Sequence, residues 1–183
     1  MKYLKFVLPL AIAGCASSGG PDSIVRTYDL GANAPAAKLP AVRSVSVRAA
    51  MPYDGIDMYY RLAWKDGAEI APFAQSRWAA PPADLVRRQL VRALPAATTA
   101  PCALEVELQD FSQVFSSKDA SEARLELRAS LATPTARIAS RGFSAADPNA
   151  GGSAATGAAA FSRAADKAVG DIAAWISSQS ACR

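Results

Sequence analysis

The sequence of 183 residues contains no histidine. That removes the commonest general base near neutral pH, and with it every Ser-His-Asp or Cys-His arrangement for nucleophilic catalysis. A GxxxxGK[ST] phosphate loop is also missing, so the chain does not hydrolyse nucleotides by that route. Cysteine is scarce: Cys15, Cys102 and Cys182 are the only three, and without histidine they make a poor zinc site. Neither sign of charge dominates. Against 16 Asp and Glu stand 20 Lys and Arg, and the net charge of +4 falls to +2 once Lys2 and Lys5 are set aside, which gives little basis for nucleic-acid binding. No apolar run reaches the roughly 20 residues of a membrane-spanning helix, and no tandem repeat is visible. Paired carboxylates could still run glycoside hydrolysis. Glu105 and Glu107 sit on one face of an alternating strand, where they read more simply as its solvated side, so no catalytic residue, metal or cofactor is assigned.

What is present begins at the N-terminus. Lys2 and Lys5 precede a short apolar run from Phe6 to Ala13, the pattern of a signal peptide. The following Ile12-Ala13-Gly14-Cys15 resembles the bacterial lipoprotein signal, in which the cysteine thiol is diacylated and becomes the mature N-terminus. The resemblance implies lipidation at Cys15; the alternative is an ordinary secretory signal with an incidental cysteine. In lipoproteins of this type an Asp after the anchor retains the protein at the inner membrane, and Ala16 in that place implies the periplasmic face of the outer membrane. The small and polar residues from Ala16 to Ser23 have nothing to bury and read as a tether. The expected division is a signal peptide at 1–14, a lipid-anchored tether and lead-in at 15–40, and one domain at 41–183. In an oxidising compartment Cys102 and Cys182 are expected to form a disulfide, the alternative being two separate buried thiols.

Within the domain, Val45 and Val47 alternate with Ser44, Ser46 and Arg48 as in a strand. Met58 to Lys65 alternates likewise, and Asp66-Gly67 predicts a hairpin turn leading into "AEIAPF". Pro81-Pro82 opens a helix on Val86, Leu90, Ala93 and Leu94 that stops before Pro95. Leu104, Val106 and Leu108 form a strand whose phase slips at Phe111, which predicts a bulge near Asp110. Leu125 to Leu131 is the cleanest strand, and Arg137 to Phe143 is its neighbour after a turn at Thr133-Pro134. After a glycine-rich break, a last helix carries Phe161, Ala165, Ala168, Val169, Ile172, Trp175 and Ile176 on one face. These elements predict an α+β fold of two layers, a mostly antiparallel sheet with two amphipathic helices packed on one face.

Two groups of residues are candidates for partner contact. Arg87, Arg88 and Arg92 cluster on the first helix, where they suit anionic headgroups or an acidic surface, the alternative being a solvated helix face. Tyr59 falls on the outward side of its alternating strand. Trp78, just ahead of the Pro81-Pro82 start, is expected to pack under that helix.

The segments "TYDLG" (27–31), "AAMPYDGIDMYYRL" (49–62), "APFAQSRWAAPPADLVRRQL" (71–90), "LEVELQDFSQVF" (104–115) and the Phe161 to Trp175 helix together resemble the ABC-type transport auxiliary lipoprotein component family. The resemblance covers nearly all of the chain after Cys15, and its most specific pieces are the Tyr-Asp-Leu start and "SRWAAPPADLV". It implies a noncatalytic outer-membrane lipoprotein that serves as a docking or adaptor subunit. Its implied partners are an inner-membrane ABC transporter, with permease and ATPase, and a substrate-binding protein of the mammalian-cell-entry (MCE) domain type, in a system moving phospholipid or another apolar molecule. A direct periplasmic lipid carrier is the alternative, and a periplasmic hydrolase ranks below both.

Overall fold

The computed structural model describes residues 24–32, 40–148 and 150–182. The signal stretch, Cys15 and most of the expected tether lie outside the described residues. The elements run β1 (Arg26–Tyr28), β2 (Val45–Ala49), β3 (Asp57–Leu62), β4 (Asp66–Trp78), α1 (Pro82–Ala93), β5 (Ala103–Phe115), β6 (Ser121–Ala132), β7 (Arg137–Asp147) and α2 (Ala154–Ser178), with a short 3-10 turn at Ser180–Cys182. The strands form one sheet in the order β1-β4-β3-β5-β6-β7, with β2 also paired to β5. Both helices lie on one side of it, α1 over β2 and β5, α2 over β6 and β7. The α+β architecture stands, with a sheet that is mixed: β3–β4, β5–β6 and β6–β7 are antiparallel, while β1–β4, β2–β5 and β3–β5 are parallel.

The parallel pairings explain the centre of the molecule. β2 pairs with Leu104 to Leu108 and β3 with Ser112 to Phe115, so the two form a single line along β5, interrupted by an excursion at residues 50–56. Where one hands over to the other, the β5–β6 register slips between Leu108 and Asp110, at the position of the predicted bulge. The slip keeps Leu104, Val106 and Leu108, and then Phe111, on the buried side.

Three local expectations are corrected. The β3–β4 turn falls at residues 63–65, and Asp66-Gly67 opens β4 rather than making the turn. Trp64 falls in that turn, beyond the end of β3, so the alternation that placed it with Met58 does not reach it, and Trp64 is 41% exposed while Met58 is 1%. Finally, β1 lies inside the stretch expected as lead-in, so the sheet begins ahead of residue 41. Three residues are too few to show a period.

Both helices have local causes, the start and stop of α1 and the inner face of α2 being those the sequence suggested. In α1, Pro82 takes a first-turn position where its missing N–H is not needed, and Leu94 still donates to the Leu90 carbonyl at 2.8 Å before Pro95 intervenes. In α2, Ser153 and Thr156 cap each other reciprocally, and the seven residues expected on its inner face are all buried.

Gly157, one turn into α2, shows how closely helix and sheet approach. A Cβ there would lie 2.1 Å from Gln113 Oε1 and 2.7 Å from Cδ. Gln113 cannot swing away, because it is fully buried and its Nε2 donates to Ser121 Oγ at 2.7 Å and to the Gly151 and Ser153 carbonyls at 3.3 Å. Gly157→Ala is therefore expected to destabilise by about 1–3 kcal/mol through overpacking. Gly170 is exposed, and an added Cβ there would meet nothing within 4 Å, so the same change is expected to stabilise by up to about 1 kcal/mol. Denaturant midpoints that move the same way in both variants would refute this account.

Candidate functional site

On α1, the three arginines meet three different fates. Arg87 lies 3.7 Å from Asp84 one turn earlier on the same helix, a solvent-exposed pair. Arg88 points to solvent. Arg92 turns back toward the N-terminal segment and donates from Nη1 to the Gly31 carbonyl at 2.9 Å. It is thus part of a clamp rather than a free member of a basic patch. Gln89, buried beside it, donates to the carbonyls of Leu30 at 3.2 Å and Gly31 at 3.1 Å, and Ser162 of α2 donates to Leu30 at 2.6 Å. Gly31 adopts φ of 75°, the left-handed conformation glycine accepts without a steric penalty, and its N–H returns to the Asp29 carboxylate. "TYDLG" is thereby a strand, a turn and a grip point. Arg92→Glu removes a charge-assisted bond and aims a carboxylate at a carbonyl, so it should cost about 1 kcal/mol. Arg87→Glu should stay within about 0.5 kcal/mol. Equal urea midpoints for the two variants would remove Arg92 from the clamp.

The excursion between β2 and β3 covers part of the sheet face away from the helices. Tyr53 is 3% exposed, packs edge-on against Tyr59 with centroids 5.7 Å apart, and accepts from Arg61 Nη2 at 3.1 Å. Arg61 also lies 3.9 Å from Asp110, whose other oxygen accepts from Ser112 at 2.6 Å. Burial above all, then the negative Asp110, pushes the Tyr53 phenol above its ordinary value, with Arg61 acting in the opposite sense. Tyr59 lies on this face, on the side away from the helices as expected, and is half-buried against Tyr53 and the core.

Beyond the excursion this face of the sheet stays open. Arg48, Glu105, Glu107, Arg128, Ser130 and Arg137 surround a depression of about 600 Å³. Arg48 pairs with Glu107, and Arg137 lies 4.0 Å from Glu105. The two carboxylates considered for hydrolysis are thus each set against a guanidinium on a solvated surface. Sequence reasoning did not bring these arginines to the glutamates, because Arg48 and Arg137 come from strands on opposite sides of β5.

Trp78 is 2% exposed, and its ring contacts run to Phe111 and Phe161 at 5.1 and 5.3 Å, so it is anchored to β5 and α2. The expected cysteine pair is joined: Cys102, at the foot of β5, is bonded to Cys182 after α2, with Cα atoms 5.3 Å apart. Cys15 lies outside the described residues.

Comparison with known proteins agrees with this architecture. The crystal structure of protein XCC0632 from Xanthomonas campestris, assigned to DUF330, superposes with a TM-score of 0.68 at 22% identity, covering 82% of this chain and 93% of that one. A second crystal structure, of an uncharacterized protein, gives 0.66 at 14% identity, covering 84% and 99%. At such identities the likeness is one of fold. No curated protein matches. Residues 28–173, from the clamped Tyr-Asp-Leu segment to the inner face of α2, match the family described as ABC-type transport auxiliary lipoprotein component. That span takes in all of the sheet except the first two residues of β1, and on it the chain belongs to the ABC-type transport auxiliary lipoprotein component family.

Proposed function

We propose that the protein is a noncatalytic auxiliary lipoprotein, anchored through acylated Cys15 at the periplasmic face of the outer membrane. There it docks the MCE-domain substrate-binding protein of an ABC-type lipid transport system. One observation carries the choice of adaptor over lipid carrier: the interface between helices and sheet is filled. Phe111 and Phe161 stack at 4.3 Å with Trp78 against both, and the alanine-rich face of α2 lies directly on β6 and β7. An acyl chain would need that space. Among the described residues no helix is long and apolar enough to cross a membrane, and the proposed attachment rests on the resemblance of Ile12-Ala13-Gly14-Cys15 to the lipoprotein signal. Each buried acyl methylene contributes about 0.8 kcal/mol, and two or more chains are needed for stable retention.

Crosslinking in intact cells, followed by recovery of the protein in detergent, should yield an MCE-domain protein. Cys15→Ser should leave the membrane fraction and lose most of that recovery. Abundant protein without an MCE-domain partner would overturn the docking role, and normal membrane fractionation of Cys15→Ser would overturn the anchor.

A further inference from the structure

Three distant parts of the chain meet where β1 borders the start of α2. β1 and β4 run parallel with Arg26 beside Ser76 and Tyr28 beside Trp78. Since Trp78 points into the helix-covered core and residues two apart share a face, Arg26 and Ser76 lie on the helix side. The first turn of α2 stands across from them, and a groove of about 480 Å³ separates the two walls.

Every polar side chain lining this groove can donate a hydrogen bond, and no carboxylate lines it. Arg26 forms no ion pair among the described residues and supplies a guanidinium; Tyr28 and Gln75 add a phenol and an amide. On the helix wall, Thr156 N–H is taken by Ser153 Oγ and Gly157 N–H by the Ser153 carbonyl, which leaves the amides of Ala154 and Ala155 without an acceptor among the described residues. Ser76 is an independent sign. It is 8% exposed, its hydroxyl makes no hydrogen bond among the described residues, and it lines the groove. The buried polar side-chain atoms without a partner among the described residues are Trp78 Nε1 and Gln113 Oε1, so the Ser76 hydroxyl is not sealed in the core but opens onto the groove, free to donate to a ligand there.

Donors on two facing walls suit an anion whose oxygens diverge in three dimensions, as those of phosphate do, better than a planar carboxylate. The positive end of the α2 dipole adds to the attraction. Ile24, 82% exposed, flanks the mouth with an apolar side chain.

We propose that the groove between β1 and the first turn of α2 binds a phosphate group, esterified or free, with Arg26, Ser76 and the amides of Ala154 and Ala155 as donors. The ligand chemistry is shared by phospholipid headgroups and by free phosphate. The site does not depend on which transporter the protein serves.

The test is amide NMR on the full acylated protein in neutral-detergent micelles. One arm adds inorganic phosphate, the other phosphatidylglycerol to the micelles, with sodium chloride at matched ionic strength as the reference. The Ala154 and Ala155 amides should shift saturably. Arg26→Gln should weaken binding about tenfold, the loss of one charge-assisted bond. Arg88→Gln, an equal change of net charge elsewhere, should leave the titration as it was. Saturation at similar phosphate content in both arms identifies a free phosphate site. Saturation at far lower content with phosphatidylglycerol identifies a headgroup site, and either result supports the assignment. Absent shifts in both arms, shifts reproduced by chloride, or an Arg26→Gln titration matching wild type would each overturn it.

Discussion

Trp78→Ala will lower the stability of the domain by about 3–5 kcal/mol, a large share of the roughly 5–15 kcal/mol available to a domain. The ring joins β4 to β5 and α2 through Phe111 and Phe161, which themselves stack at 4.3 Å, so its loss opens a cavity bounded by three elements. Trp78 Nε1 is buried without a hydrogen-bond partner among the described residues, so the benefit of this side chain is its area and shape, not its polar atom. Trp78→Phe should accordingly cost much less, under about 2 kcal/mol, because it retains an aromatic ring and removes the orphaned donor. Denaturant titrations of both variants decide the matter. A Trp78→Ala protein that unfolds at the wild-type midpoint would refute a core role.

Loss of the Cys102–Cys182 bond has an effect of the same order. The crosslink closes a loop across a separation of 80 residues, for which chain entropy gives about 4.5 kcal/mol. Cys102→Ser and Cys182→Ser should each lose a similar amount, and the double variant little more, since all three delete one constraint. Strictly additive losses would mean two independent thiols.

How far the fold could be read in advance follows from the range of each signal. The face of α2 and the alternation of β6 were legible because each repeats a short period many times. The bulge near Asp110 was legible too, as a slip in such a period. By contrast, the parallel pairings of β1, β2 and β3 join segments whose partners follow only after long intervals, and no local pattern records them. Pro72, which has no N–H for a ladder, is tolerated inside β4 because β1 covers only Ser76 to Trp78, leaving that edge open at Pro72. The same distinction governs the sites. Arg92 sits on the polar side of a helical wheel, and nothing in its neighbourhood announces that its acceptor is a carbonyl from residue 31. The phosphate groove is assembled from Arg26, Ser76 and the α2 amides, none of which carries a motif. Cysteine pairing was open to arithmetic, because only two remained once Cys15 was assigned.

On the proposed anchoring through Cys15, the clamp on Leu30 and Gly31 acquires a mechanical meaning. A pull on the chain ahead of Ile24 reaches the fold through β1, and when the load runs along the strand it shears the β1–β4 ladder, whose bonds resist together instead of parting one by one. What passes β1 arrives at two carbonyls held by Gln89 and Arg92 from α1 and by Ser162 from α2. Force is thus delivered to both helices at once, and the excursion, the open sheet face and the β7 edge stay off the line of tension.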